Sequence, residues 1–473
     1  MTTTFDAIII GTGQAGPFLA GRLTAAGMKV AIIERGRFGG TCVNTGCTPT
    51  KTMVASAYAA HMARRAADFG VTIGGPVTVD VKQVKARRDA ITGKSSKGIE
   101  SMLRGMSNCT VFTGQARFAS AHEVTVGTTR LSAEQIFINT GTRPSVPPMP
   151  GLDRVQYFTS DSLLDIDFLP RHLVIVGGGY IGLEFGQMYR RFGSEVTIIE
   201  TKARLMHRED EDVSAAIKDI LEQEGISVRP NATCIALSMQ GDDVVAGVDC
   251  DSDSREVRGS HVLLAVGRRP NTDDLGLEKA GVEMDKHGYI AIDDQLRTSV
   301  PGIWALGDCN GKGAFTHTSY NDFEIVAANL LDNDARRVSD RFTAYAVYID
   351  PPLGRAGMTE AEVRKSGRPA LMGQRPMTRV SRAIEKGETN GFMKIMVDAK
   401  THEILGAAIL GVGGDEAIHC VLDAMYAKAP YSVVQRAVHI HPTVAELIPT
   451  ILGELKPLPS VSETAATEPA ASG

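Results

Sequence analysis

One unit occurs twice in this chain, and few folds can hold it. Residues 5–35 open with the apolar run "FDAIII" and turn through Gly11-x-Gly13-x-x-Gly16. They continue as "PFLAGRLTAAG" and close with "MKVAIIE", whose last residue is Glu34. Residues 172–200 repeat the order: "HLVIV", Gly177-x-Gly179-x-x-Gly182, "LEFGQMYRRFG", then "SEVTIIE" ending in Glu200. Each reads as strand, glycine turn, helix, strand. The glycines let backbone approach a pyrophosphate, and the helix N-terminus stabilises its charge. The acid at the end of the second strand accepts hydrogen bonds from a ribose hydroxyl. The pattern predicts two dinucleotide sites. A second echo supports duplication. "IFINTGTRPSVP" (136–147) and "LLAVGRRPNTD" (263–273) each run from a strand into a Gly-Arg-Pro-type turn, one after each glycine unit.

The chain has 473 residues, too many for one core, so about three domains are expected. "TSVPGIWALGDC" (298–309) is a strand ending at Gly307-Asp308, followed by the helix "HTSYNDFEIVAANLL". From about 343 the texture changes. "YAVYIDPPLGRAGMTEAEV" and "GFMKIMVDAKTHEILGAAILG", with a helix from Asp415 through Ala427, alternate strand and helix without a glycine fingerprint. This reads as a separate α+β domain. Residues 457–473, rich in Pro, Ala, Ser, Thr and Glu, read as a disordered tail. A net charge of −5 gives no support to nucleic-acid binding. No apolar run reaches membrane-spanning length. The N-terminus enters a strand with no basic region or cleavage site, so a cytoplasmic setting is expected.

Seven cysteines are present, and five of them (Cys109, Cys234, Cys250, Cys309, Cys420) are scattered. That spacing is not a disulfide framework. Cys42 and Cys47, in "GGTCVNTGCTPTK", stand apart from the rest. On a regular helix their Cα atoms would be roughly 8–9 Å apart, whereas a disulfide needs about 4.4–6.8 Å. A pairing therefore requires a bend, which Gly46 permits. Thr48-Pro49 reads as an N-cap and first helical position. That puts Cys47 at a helix N-terminus, where a thiolate is favoured. A reactive pair, a structural bridge and a metal site all remain open on these residues. In a reducing compartment a close pair is more often catalytic or metal-binding than structural. Metal is the weaker of those two, because no further Cys or His lies near at zinc-like spacing, although His439 and His441 could come from afar.

Taken in order, the glycine fingerprint, Cys-x4-Cys, second fingerprint, "GRRPNT", "GD" and terminal "HPT…E" resemble the flavoprotein disulfide reductases. These are the class I pyridine nucleotide-disulfide oxidoreductases, the group of glutathione reductase, dihydrolipoamide dehydrogenase and mercuric reductase. "TCVNTGCTPTKT" and "FTHTSYND" look most like the mercuric-reductase-like branch. The resemblance implies an α/β fold with two Rossmann-like domains, for FAD and NAD, and a C-terminal α+β dimerisation domain. Expected boundaries are 1–150 (FAD, first part, with the redox disulfide), 151–275 (NAD(P)), 276–342 (FAD, second part) and 343–456 (dimerisation).

The resemblance also implies roles. Gly11, Gly13, Gly16 and Glu34 would bind FAD, and Asp308 would meet its ribityl chain. Gly177, Gly179, Gly182 and Glu200 would bind the nicotinamide cofactor. Gly40, Thr41, Lys51, Thr140, Gly141 and Gly267 are further cofactor-binding positions. Cys47 would face the flavin and Cys42 the substrate, as a redox disulfide. Lys51 and Glu184 would pair beside the flavin. His441 and Glu446 would form an acid/base dyad reaching into the partner subunit of a homodimer, since a departing thiolate needs a proton and histidine titrates near neutrality. His439 and His317 carry no assigned role.

The implied activity relays electrons between NAD(P)H, flavin, the Cys42–Cys47 disulfide and a small disulfide or dithiol substrate. Glu200 favours NADH over NADPH, because a 2′-phosphate would meet like charge there; Arg204, just downstream, is the countervailing residue. Dihydrolipoamide dehydrogenase is the nearest rival, and a Hg(II) or Cu(II) reductase another. Against mercury, the last cysteine is Cys420, so the vicinal C-terminal pair of mercury enzymes is missing. A non-catalytic redox sensor or structural flavoprotein subunit is the reading from a different class. Arg64, Arg65, Arg87, Arg88, Lys94 and Lys97 lie on helices that border the substrate cleft in relatives; solvated helix faces explain them more simply than an anionic substrate.

Overall fold

A computed structural model describes residues 2–248 and 256–458. The chain divides into two compact units. One comprises residues 1–201 and 225–341, the other residues 202–224 and those from 342 onward.

In the first unit the apolar run Ala7–Ile10 is a fully buried strand. It pairs in parallel with Val30–Glu34 on one side and Gln135–Ile138 on the other. Cys109–Thr113 and Ile303–Ala305 extend the same parallel sheet to five strands. Near-continuous Ile and Val suit strands covered on both faces. The second parallel sheet has the order Tyr157–Thr159, His261–Leu264, His172–Val176, Glu195–Ile199, Ser227–Arg229. A three-stranded antiparallel sheet, Ala236–Gln240, Asp243–Gly247 and Glu256–Gly259, is inserted in the chain between its strands Ser227–Arg229 and His261–Leu264. The two echoed turns find each other: Thr142–Pro144 pairs antiparallel with Arg268–Pro270, Arg269 opposite Arg143. The sequence pattern predicted the two turns but not that they form one ribbon.

The second unit is a six-stranded antiparallel sheet. Its central strands, Phe392–Asp398 and Ile404–Leu410, are buried along their whole length. The helix Gly414–Tyr426 packs Ala417, Ile418, Val421 and Met425 into this core. The helix Glu211–Gln223, expected within the nucleotide-binding domain, groups with this unit. Charge explains the grouping. Arg355, 1% exposed, contacts Glu209 and Asp210. Lys394, fully buried, reaches Asp210 at 2.9 Å, Asp212 at 2.7 Å and Glu360 at 3.3 Å. The Tyr345 hydroxyl donates to Glu209. Buried charges hold only when paired in this way.

Lys456–Pro457 forms a short strand against Ala370–Pro376. Residues 459–473 of the expected tail, and Cys250, lie outside the described residues. Cys234 is disulfide-bonded, which the reading of scattered cysteines did not anticipate. No helix among the described residues is long and apolar enough to cross a membrane.

Candidate active site

The first glycine turn leaves the strand at Ile10 and enters the helix Ala15–Ala25. Its geometry excludes side chains: a Cβ on Gly11 would sit 2.3 Å from the Asn139 carbonyl oxygen, and one on Gly16 2.4 Å from that of Gly11. Asn139, which sequence reasoning missed, donates from its buried amide to the Gly13 carbonyl at 3.2 Å. Glu34 accepts from the Thr12 backbone at 3.0 Å, the Thr12 hydroxyl at 2.5 Å and the Gly36 backbone at 2.8 Å. No side chain caps the helix; the Gly16 N–H is taken by the Gly13 carbonyl at 2.9 Å, and the positive end of the helix is left to favour an anion. This cradle fits the pyrophosphate and ribose of a dinucleotide.

The second turn repeats the fit. A Cβ on Gly177 would lie 2.4 Å from the Ala265 carbonyl oxygen, and one on Gly182 2.1 Å from that of Gly177. Glu200, 9% exposed, follows the strand Glu195–Ile199 and accepts from the Gly178 backbone at 2.7 Å. Gly141 and Gly267, each immediately before a strand of the paired ribbon, adopt positive φ angles. Thr140 and Gly141 accept from Asn271 through their carbonyls. Asp308 accepts from the Thr142 hydroxyl at 3.0 Å, and burial raises its pKa. Arg268 fixes the same threonine through its hydroxyl and carbonyl.

Between the first turn and the cysteines the chain makes a short helix, Gly40–Asn44, with Thr41 and Cys42 inside it. A longer helix then begins at Cys47, with Gly46 as its N-cap. This corrects the expected start at Thr48-Pro49. Proline is tolerated throughout a first turn, where N–H groups have no helical partner, so Pro49 does not mark the boundary. The bend at Thr45–Gly46 brings both sulfurs together as free thiols that share a hydrogen bond.

The pair is polarised. The Cys42 hydrogen bond lowers the Cys47 pKa to about 6; burial opposes this, and the Thr316 hydroxyl and the Lys51 charge assist it. Cys42 moves the opposite way, raised chiefly by the same hydrogen bond and by burial. Lys51, one turn along the helix from Cys47, meets the buried Glu184 at 2.5 Å. That ion pair ties the redox helix to Tyr180–Phe192, the helix of the second turn.

In the second unit His441 Nδ1 lies 2.9 Å from Glu446 Oε2, with the imidazole largely exposed and the carboxylate shielded. A carboxylate on Nδ1 orients the ring and fixes its tautomer. His439 Nε2 lies 3.8 Å from Cys420 Sγ instead. His317 stacks on Phe315. Most of the basic residues near the redox helix are spent on protein. Arg64 and Arg87 bind the carbonyls of Arg191 and Thr52, Arg65 meets Asp68, and Arg88 is buried against Asp89 and Asp165. Lys94 and Lys97 are exposed.

Comparison with known proteins accords with this arrangement. The family "pyridine nucleotide-disulphide oxidoreductase" matches residues 5–322, and its dimerisation domain matches residues 343–451. The chain is 36% identical over 460 residues to the probable pyridine nucleotide-disulfide oxidoreductase RclA of Escherichia coli, covering 96% of this chain and 99% of that one. It is 33% identical to a mercuric reductase of Streptomyces lividans, covering 94% and 95% of the two chains. Against a dihydrolipoyl dehydrogenase of Thermus scotoductus the identity is 32%, with the same coverage. The solved structure of the Cu(II) complex of HOCl-induced flavoprotein disulfide reductase RclA from Escherichia coli superimposes with a TM-score of 0.88 at 35% identity, covering 96% of this chain and 100% of that one. With the whole length matched, two dinucleotide cradles and a polarised thiol pair between them, the chain belongs to the pyridine nucleotide-disulphide oxidoreductases and is a flavoprotein disulfide oxidoreductase, an FAD enzyme that works with a pyridine nucleotide.

Proposed function

We propose that this enzyme reduces a small disulfide, or oxidises the matching dithiol, with Cys42 meeting the substrate and Cys47 lying beside the flavin. The polarised pair carries the reading: one sulfur is held as thiolate near neutral pH and the other keeps its proton. FAD, when bound, supplies the two-electron relay between nicotinamide and sulfur. The chain's own residues do the rest. Cys42, after losing its proton to His441, attacks one substrate sulfur and forms a mixed disulfide. The leaving thiolate takes that proton from His441. Cys47 then attacks Cys42 Sγ, breaking its bond to the second substrate sulfur, which leaves as a thiolate and takes a proton from solvent, and a Cys42–Cys47 disulfide remains. Glu446 holds the imidazole in the tautomer this exchange needs. Lys51 and Glu184 act beside the flavin ring as a fixed ion pair.

The enzyme works as a homodimer with His441 supplied by the partner subunit, which the dimerisation domain supports. NADH is preferred, because the Glu200 carboxylate stands where a 2′-phosphate would have to lie. The expected boundaries at 150, 275 and 342 stand as part of this proposal, as does a cytoplasmic setting. A second reading, reduction of a metal ion such as Hg(II) or Cu(II), has its own support: similar structures are Cu(II) complexes of RclA, and thiolates hold soft ions such as the Cu(I) that a one-electron reduction would form.

A substrate panel tests the reading. Lipoamide, glutathione disulfide, other small disulfides, Hg(II), Cu(II) and quinones are each supplied with NADH and with NADPH. Turnover of a disulfide that Cys47→Ser abolishes is expected. Turnover of Cu(II) alone would shift the assignment to the metal reading, and no turnover of any disulfide or dithiol would sink thiol exchange.

A further inference from the structure

Two helices begin at one sulfur. Cys47 is the first residue of Cys47–Arg64, and Thr316 is the first residue of Thr316–Leu331. The start of the second helix is closed by Thr318, whose hydroxyl accepts from the Phe315 backbone at 3.2 Å and donates to its carbonyl at 2.8 Å. The Thr316 hydroxyl takes no part in that turn. It lies 3.2 Å from Cys47 Sγ instead, and it also reaches Cys42.

We propose that Thr316 is a positioning residue of the redox pair: its hydroxyl hydrogen, donated to Cys47 Sγ, selects Cys47 as the thiolate and leaves the proton on Cys42. This rests on the reading of Cys47 as the flavin-side thiol. A thiolate can only accept, so beside it the threonine must donate. Cys42 S–H donates to the same sulfur, and two donors converge on one charge. A charge-assisted hydrogen bond is stronger than a neutral one. The hydroxyl also acts to lower Cys42, but it has one hydrogen to give; donated across 3.2 Å to Cys47 Sγ, beside the Cys42 S–H, that hydrogen favours charge on Cys47 over Cys42. Oxidation removes that advantage. The reduced pair, Cys42 thiol and Cys47 thiolate, gives up two electrons and one proton to become a disulfide, which carries no charge to stabilise. The hydroxyl therefore stabilises only the reduced form and makes the pair the more oxidising couple. Its loss would raise the Cys47 pKa and tilt the equilibrium toward the disulfide.

Two readouts test this on the flavin-loaded enzyme, neither of them turnover. In Cys42→Ser enzyme a long-wavelength absorption band from the Cys47 thiolate beside oxidised flavin is titrated with pH. Adding Thr316→Val, which keeps the branched shape and drops the hydroxyl, is expected to raise the midpoint by about half to one pH unit, the scale of one lost hydrogen bond. Adding Thr316→Ser in its place is expected to restore it. With both cysteines intact, equilibrium against glutathione is expected to move three- to tenfold toward the disulfide in Thr316→Val enzyme; tenfold is about 30 mV. Thr316→Ala, which also lacks the hydroxyl, gives the same comparison should the valine variant lose flavin. An unchanged midpoint and equilibrium in enzyme lacking the hydroxyl would overturn the proposal. Absence of the band in Cys42→Ser enzyme with Thr316 intact would overturn the assignment of Cys47 itself.

Discussion

The two glycine turns read alike in sequence and share their first and third close approaches, yet their middle glycines differ. A Cβ on Gly13 would touch the Asn139 amide at 3.4 Å, and a Cβ on Gly40 would press on Gly13 Cα at 2.8 Å. The Gly39 backbone also donates to the Thr12 hydroxyl at 3.1 Å. The first turn is thus wrapped by the segment that runs into the redox cysteines. At the second turn a Cβ on Gly179 would meet no protein atom within 4 Å. A wrapped turn suits a group that stays through many cycles. A bare turn suits one that enters and leaves in every cycle. The same cradle occurs twice, and in the proposed reading what is packed over it divides the roles.

The largest effect should come from filling the wrapped turn. Gly40→Ala puts a Cβ on a left-handed residue already pressed against Gly13. Flavin content should fall and turnover drop at least about a hundredfold, since misplacing reacting groups by an ångström costs that much. Gly179→Ala should keep its flavin and weaken only nucleotide binding. Equal flavin loss in both would erase the distinction between the turns.

Next come the two acids. Glu34→Ala removes the acceptor of three hydrogen bonds in the wrapped turn, and flavin affinity should fall about ten- to a hundredfold. Glu200→Ala should leave flavin in place and narrow the proposed preference for NADH, expected to be about ten- to a hundredfold in kcat/KM in the unmutated enzyme. An unmutated enzyme that uses NADPH as well as NADH would refute this view of the second site. The thiol pair gives a smaller signal. A group lowered to about 6 is charged above that pH and protonated below it. The Cys47 thiolate band should therefore fade about tenfold per unit as pH drops below 6. A midpoint above 8 would show that the pair is not polarised. The smallest change is in mixed dimers of Cys42→Ser and His441→Ala chains. With the dyad acting in trans, one of their two sites is whole, and about half the native activity should return. Verified heterodimers with none would count against the dyad in trans.

The two nucleotide cradles were legible because a pyrophosphate restricts several neighbouring residues at once, so the demand is written as a short pattern. Asn139, Arg268 and Thr316 were not, because each acts alone across a long stretch of chain. "FTHTS" contains Thr316, but nothing local tells it from Thr318, which only closes a turn. The start of the redox helix was misplaced because proline fits any position of a first turn. The grouping of residues 202–224 was hidden for a similar reason: Glu209 and Asp210 meet Arg355 about 146 positions away, and on the page they are four acids opening a helix.

Those acids bear on how the chain can be cut. A fragment ending before Phe342 keeps Glu209, Asp210, Glu211 and Asp212 but loses Arg355 and Lys394. Removing one partner of a buried ion pair costs about 3–5 kcal/mol, and the cut removes both cations. It also bares Val213, Ile217, Ile220 and Leu221, which are buried on the helix Glu211–Gln223. Two-thirds of the sequence matches one family region, yet it is not a separable module. Expressed alone it would carry an acidic, greasy helix with nowhere to dock, and precipitation or proteolysis at residues 202–224 is the expected fate. A fragment meant to keep both cradles has to graft new polar residues onto that helix face before the rest can be handled in solution.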